Sequence, residues 1–547
     1  MATKEKQVAV STIRSAAPPA EMPWMMMTAI SGFYLAATVL DRLHSRYLAR
    51  PLYPAQYQQL LHPLAAIFLV LPVFIVSHTK LYWLRANRVN GCEPAAVYPH
   101  KDPIMGFDWM KSVLKASQET RLIEFFLDHF NDIGNTFWFN AGGDWTLMTN
   151  EPENVKAILS TQFNVWPVQG LRKTTAVVTL GPKAVFSTNG KEWQHARAVM
   201  RPSFVRNQLA DLECTDRHVE NFLAKLKLDE SKLDLQPLFF LFTMDVSTDF
   251  MFGHSTDMLR HPSPEADEFI RCFEYTMISS LTRARMGRFA FLLRDRKLDE
   301  SIQTSYAFID QFITSAFANG RSKERPYVFM NELIDSGASH DEIRSQLLSM
   351  ILGGRDTSAS TMSSLFWVLA RRPDIFAKMK KELEILNGEK PSWEQTRELK
   401  YLNRVIKEVL RLYPPVISNL RSASQDTILP RGGGKDGQSP LFVPKGTTCR
   451  YSIVSMQRRQ DLYGDDADEF RPERWETLRT SWEYIPFSGG PRICIGQQFA
   501  LTQVTYMVAR ILQSIGSVEA MDNLPMEMIV SATTSLKNGC WVKMTPA

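Results

Sequence analysis

Hydrophobic positions change rhythm along this chain of 547 residues. Two unbroken apolar runs come first. Met22 to Leu40 carries no charge, and Leu60 to Ser77 follows, most apolar from Leu64 to Val76. Each is close to the ~20 residues a helix needs to cross a bilayer. Neither ends in a cleavage site, so both read as a retained anchor. Basic residues precede the first run (Lys4, Lys6, Arg14), follow it (Arg42, Arg46, Arg50) and follow the second (Lys80, Arg85, Arg88). That symmetry leaves one span and two equally open. The second run also suits an amphipathic or core helix. Residues 1–90 are therefore expected to form a membrane anchor, with segments at about 22–40 and 60–77. Residues 91–547 are expected to form one large domain, with Pro94, Pro99 and Pro103 as a stiff spacer before it.

From Ser117 through Leu512 the dominant period is helical. Short alternating runs near Thr136–Thr149, Leu441–Tyr451 and Cys540–Met544 predict strands. The fold class is thus mainly α (α+β): a helical domain with small sheets. One helix is well bounded. Ser339 and Glu342 have capping-box spacing, the apolar pattern runs from Asp341 to Arg372, and Pro373 stops it. Inside it lies Gly353-Gly354-Arg355-Asp356-Thr357-Ser358. Glycines and short polar residues are poor choices in mid-helix. The conflict predicts either a functional distortion or a kinked core helix with satisfied hydroxyls. Later, Glu408 and Arg411 share a helix face at i,i+3, the default reading of which is a surface ion pair.

Composition adds little but excludes much. At 44% hydrophobic residues the chain can bury a large core, and no Gly/Ser- or Pro-rich linker divides it. A net charge of +5 makes no case for nucleic acid. Basic stretches at Arg458-Arg459 and from Lys191 to Arg206 read as solvated faces. Six scattered cysteines show neither zinc nor disulfide spacing, which fits a reducing compartment.

One cysteine is different. Phe487-Ser-Gly-Gly490-Pro-Arg492-Ile-Cys494-Ile-Gly496 fixes five residues, Cys494 among them, at set offsets. A cysteine thiolate pushes electron density onto haem iron and favours O–O cleavage. Such a sulfur must be anionic and dry. Gly490 and Gly496 permit a tight turn that aims amides at it. Arg492 supplies a cation for a haem propionate, and Phe487 shields one face. The apolar pattern from Gln497 makes the loop open a helix, whose N-terminus also favours a thiolate.

This loop resembles the haem-binding signature of the cytochrome P-450 family, and four further motifs follow the family's order. Gly353 to Ser358 is similar to the oxygen-activation motif, in which Asp356 and Thr357 would support a water and proton relay. Glu408 and Arg411, with Arg474 of Phe470-Arg-Pro-Glu-Arg-Trp475, are similar to a buried structural triad. Trp193 and Arg197 resemble a propionate clamp, and Arg421 a further propionate contact. Glycine at 353, Ser358 and Gln503 stand where alanine, threonine and an acid are more usual. Residues 91–547 carry the resemblance. Leu429–Pro440 with Val443-Pro-Lys-Gly446, Tyr463–Trp475 and Gly490–Thr502 look like the fungal microsomal alkane- and fatty-acid-hydroxylating subfamily.

The resemblance implies haem b with Cys494 as the metal ligand, enclosed between the Asp356 helix and the cysteine loop. It implies a membrane-bound monooxygenase that hydroxylates a lipophilic small molecule with O2, such as a long-chain alkane or fatty acid. The alternative is a tailoring oxidase of fungal polyketide or terpenoid metabolism. A haem-thiolate isomerase or dehydratase would have no use for Asp356 and Thr357, and a haem-binding sensor would need no relay. No flavin domain fits after Cys494, so electrons would come from NADPH–cytochrome P-450 reductase. The basic stretches would face that partner. The domain would sit on the cytosolic side of the endoplasmic reticulum membrane.

Overall fold

The computed structural model describes residues 85–204, 212–226, 228–229, 231–319 and 328–547. The two apolar runs at 22–40 and 60–77 lie outside them. Among the described residues no helix is long and apolar enough to cross a membrane.

The described residues are mainly helical with four small sheets. Six helices position the site: α1 (Gly190–Met200), α2 (Leu235–Phe252), α3 (Pro264–Met286), α4 (His340–Leu369), α5 (Lys400–Leu412) and α6 (Gln497–Ser514). The strands are β1 (Ala96–Val97), β2 (Thr136–Ala141), β3 (Asp144–Thr149), β4 (Leu233–Asp234), β5 (Ser418–Ser422) and β6 (Thr427–Gly433). They continue with β7 (Ser439–Val443), β8 (Thr448–Ser452), β9 (Ile515–Ala520), β10 (Met528–Val530), β11 (Thr534–Leu536) and β12 (Trp541–Pro546). The largest sheet has the order β1-β2-β3-β8-β5; the others are β4-β12-β9, β6-β7 and β10-β11. The strands expected around 136–149, 441–451 and 540–544 all form, as β2–β3, β7–β8 and β12.

Helix α4 organises the interior. Ser339 accepts the Glu342 N–H at 3.3 Å and caps it. The Glu342 carboxylate does not complete the box but faces His195 at 3.7 Å. The N-terminal half of α4 packs Ile343, Leu347, Leu348 and Ile351 into one core with α3. Its C-terminal half packs Met362, Leu365, Phe366 and Leu369 into another with α2, α5 and α6. The polar hexapeptide Gly353–Ser358 falls at the junction. Both halves are buried almost all round, which is why the apolar pattern here is broad and not a narrow stripe. The helix assignment runs unbroken through the motif, and Thr357 and Thr361 return their hydroxyls to the Gly353 and Thr357 carbonyls at 2.7 and 2.8 Å.

The expected proline spacer is docked to the domain. Ala96 and Val97 pair in parallel with Phe137 and Trp138, and the Glu93 N–H bonds the Pro440 carbonyl. The Arg458-Arg459 stretch is also not a free basic face. Arg459 pairs with Glu151 and Asp461, and Arg458 donates to the Leu412 carbonyl at 2.7 Å.

Candidate functional site

Where the two cores part, a cavity opens between α4 and the loop before α6. Its volume is about 280 Å³, close to the lower end of the ~300–1,000 Å³ of an ordinary small-molecule site. Phe186, Met200, Phe204, Phe250 and Met251 give it an apolar lining. Trp193, Arg197, Thr357, Arg421, Phe487, Arg492, Cys494 and Gly496 all line it as well. The structure thus brings eight of the nine candidate residues to one space. The ninth, Asp356, does not line it.

The loop is shaped by local constraint. Gly490 has φ +66°, and a Cβ there would sit 1.9 Å from the Leu159 carbonyl oxygen. Only glycine fits. Gly496 differs from expectation: its φ is −87°, and a Cβ would make only an ordinary 3.5 Å contact with Phe204. Its use is its amide, which is directed at the Cys494 sulfur. The Cys494 N–H bonds the Phe487 carbonyl at 2.9 Å, and α6 begins at Gln497, as its apolar pattern predicts. Cys494 lies deep in the protein yet keeps accessible surface, because it faces the cavity. Burial pushes its thiol up, while the Gly496 amide and the Arg197 charge pull it down.

Three guanidiniums converge beside it. Arg197 donates to the Ile493 carbonyl at 2.8 Å, and Arg421 to the Leu420 carbonyl at 2.9 Å. Arg492 donates to the Thr188 carbonyl at 2.7 Å and to Asn189 Oδ1 at 3.1 Å, with its guanidinium 4.5 Å from the Trp193 ring centre. Among the described residues none of the three has a salt bridge. Burial, then the charges of Arg421 and Arg197, hold Arg492 down to about 9. Uncompensated cations gathered in a desolvated place call for an anionic ligand. A planar group with two carboxylates, set against a cysteine and an apolar space, matches this donor set. The residues present fit haem.

Opposite lies the α4 window. Gly353 has open space where a side chain would be, and a Cβ on Gly354 would meet Ser247 Oγ of α2 at 3.1 Å. Thr357 faces the cavity. Asp356 turns away by the ~100° that separates helix neighbours. Its Oδ1 accepts from Arg355 at 2.9 Å, and Arg355 also bonds Glu274 of α3 at 2.8 Å. Burial raises the Asp356 carboxyl above its ordinary range, with Arg355 opposing.

Behind the loop the Glu408–Arg411 pair proves to be fully buried. Glu408 accepts five donors: Arg411 Nε and Nη2 at 3.0 and 2.8 Å, Arg474 Nε at 2.8 Å, the Arg471 amide at 3.0 Å and Trp475 Nε1 at 3.0 Å. Arg474 also donates to Asp466 Oδ1 at 3.2 Å, and the other hydrogens of Arg411 and Arg474 go to carbonyls between Gln457 and Glu469. These bonds fasten the segment that leads to Cys494. Sequence reading placed Asn419 only within a pocket segment, Val416–Leu420, without a role; it lines the cavity and accepts from Arg421 at 3.4 Å. Sequence reading also did not foresee Arg355 and Glu274 beside Asp356. Only the helix facing could reveal that pair.

Outside this site Cys214, His218 and Asp249 come together. Their shared oxygen, Asp249 Oδ2, also accepts from Arg217 at 2.7 Å. That guanidinium takes the edge a metal ion would need.

Comparison with known proteins agrees with the geometry. The family model described as Cytochrome P450 matches residues 103–528. The cytochrome P450 monooxygenase FPY7 of Fusarium mangiferae is 39% identical over 85% of this chain and 92% of its own. The cytochrome P450 monooxygenase himC of Aspergillus japonicus is 38% identical over 84% of each. Cytochrome P450 52A5 of Candida maltosa is 35% identical over 87% of this chain and 96% of its own.

Proposed function

The chain belongs to the cytochrome P450 family and is a haem-thiolate monooxygenase, and on that premise we propose that it hydroxylates a long-chain lipophile at the α4 window. The observation that carries this is the cavity itself, apolar along its length, with Cys494 on one wall and Thr357 on the other.

Haem, when bound, supplies the activation of O2 and the redox chemistry. The chain supplies the rest. Cys494 would be the metal ligand, with the Gly496 amide and the Arg197 charge favouring its thiolate against burial. Trp193, Arg197, Arg421 and Arg492 hold the two propionates, and Phe487 keeps water from the sulfur. Thr357, in the cavity wall, orients water and passes protons inward. Asp356 feeds it, which requires the carboxylate to leave Arg355 and rotate. The raised Asp356 carboxyl suits a group that takes and releases protons. Apolar lining excludes bulk water and orients a hydrocarbon chain.

Electrons come from a separate NADPH–cytochrome P-450 reductase. The setting is the endoplasmic reticulum membrane, with the domain facing the cytosol and residues 1–90 as its anchor. An apolar surface supports membrane contact. Phe107 and Phe289 meet at 6.0 Å, beside exposed Ile104, Phe291 and Leu292. The test is reconstitution of full-length protein with reductase, NADPH and O2. Long-chain alkanes and acids should displace water from the iron, shift its spin state and yield alcohols. Turnover of small polar compounds alone would overturn the reading.

A further inference from the structure

The Arg355 guanidinium sits where three helices meet. Arg355 and Asp356 belong to α4 and Glu274 to α3, and the ring centre of Phe240, in α2, lies 5.0 Å from the guanidinium carbon. Arg355 Nη1 donates to Asp356 Oδ1 at 2.9 Å, and Nη2 to Glu274 Oε1 at 2.8 Å. The side chains of Arg355 and Asp356 are only 5% and 8% exposed, whereas Glu274 keeps 47%. One buried cation thus has two carboxylates, one enclosed and one that reaches water. Arg411, at least as deeply buried, is matched by Glu408 alone.

The second carboxylate has a use if Asp356 must move. The relay requires Asp356 to leave Arg355 and turn towards Thr357. A buried guanidinium stripped of its only carboxylate is costly, so a lone Asp356 would be held where it is. Glu274 changes that balance. When Asp356 takes up a proton and leaves, Arg355 and Glu274 remain as a neutral pair. Arg355 also has a donor ready for that state: its Nε is buried and unpartnered among the described residues. Nε and Nη2 form one edge of the guanidinium fork, and Glu274 occupies only the Nη2 half of it. A small shift of the half-exposed Glu274 would set its second oxygen on Nε. The same two-point grip joins Arg411 to Glu408, through Nε and Nη2 at 3.0 and 2.8 Å. Burial raises the Asp356 carboxyl, Arg355 opposes it, and the Glu274 charge adds to the rise, which favours the protonated form that departs.

We propose that Glu274 is a positioning residue for proton delivery: it keeps Arg355 paired while Asp356 leaves the guanidinium and turns towards Thr357. The inference rests on the relay reading above and names what frees its carboxyl. Glu274 does not line the cavity and acts only through Arg355. Each excursion carries one proton, taken from solvent and given to water beside the Thr357 hydroxyl. The carboxylate then returns to Arg355, and no electron moves in this step.

The test uses full-length, haem-loaded protein reconstituted with reductase, NADPH and O2, with palmitate as the probe. Glu274→Gln keeps the size of the side chain and an acceptor oxygen but removes the charge. Product formed per NADPH should fall roughly tenfold, the size of one hydrogen bond to a charged group, with peroxide making up the difference. The solvent deuterium isotope effect on product formation should rise. Haem content and the palmitate-induced spin shift should match the parent. Glu274→Asp should restore most of the coupling. With iodosylbenzene, which delivers an oxygen atom without protons, Glu274→Gln should equal the parent. Added to Asp356→Asn it should bring no further loss, since nothing is left to position. Unchanged coupling in Glu274→Gln overturns the inference, and so does an additive loss in the double variant. Loss of the spin shift or of iodosylbenzene-driven turnover also overturns it, because Glu274 would then support the fold. Normal coupling in Asp356→Asn overturns the relay reading itself. A defect in Asp356→Asn beside normal coupling in Glu274→Gln overturns only the role of Glu274.

Discussion

Arg411 and Arg474 are buried, and so are Arg421 and the greater part of Arg492, but the two sets are opposites. Arg411 and Arg474 share one carboxylate, Glu408; Arg474 also pairs with Asp466, and the remaining partners are backbone carbonyls of the same segment. Arg421 and Arg492, with Arg197, surround a cavity and pair with no acid among the described residues. The first set is complete within the chain and holds structure. The second is complete only when something anionic arrives. Burial alone does not separate a structural arginine from a binding one; the presence or absence of a counter-charge does.

Removing the shared carboxylate should give the largest effect. Glu408→Ala leaves the buried Arg411 guanidinium without a carboxylate and Arg474 with Asp466 alone, which costs about 3–5 kcal/mol. Little folded, haem-loaded protein should be recovered, and normal yield and thermal stability would erase the contrast. Removing a cavity cation should instead spare the fold. Arg492→Leu should keep native circular dichroism but weaken haem retention roughly tenfold or more; competition against a haem acceptor measures this. Collapse of the fold as severe as in Glu408→Ala would place Arg492 in the structural set.

Smaller effects sharpen the distal side. Thr357→Ala should keep haem and spin shift but divert several-fold more NADPH into peroxide, measured with reductase present. Unchanged coupling would locate the relay elsewhere. Asp356→Asn probes burial. A carboxyl raised in the folded state contributes stability that is lost as pH rises above its unfolded value, ~3.9. The melting temperature of the variant relative to the parent should therefore climb from about pH 4 to pH 7. A flat difference would mean that Arg355 fully offsets the burial.

Legibility in the sequence followed how local each device is. The Cys494 loop was readable because its parts lie within ten residues and each has one chemical purpose. The α4 boundaries were readable from Ser339 and Pro373. Glu408 and Arg411 were ambiguous, since i,i+3 spacing is the same on a surface and in a core; only Arg474 and Trp475, contributed from afar, distinguish the two. Asp356 and Thr357 looked equivalent because they are adjacent, whereas helix geometry points them to different places. Gly496 was correctly placed in the loop, but for a φ it does not have.

The central claim is that the incomplete set surrounds a haem whose iron is bound by Cys494. The most direct measurement is the ferrous–CO spectrum of Cys494→Ser. The serine protein should fold and should lose the red-shifted Soret band that only a thiolate ligand gives. A variant that keeps this band would contradict the account, because another residue would then hold the iron.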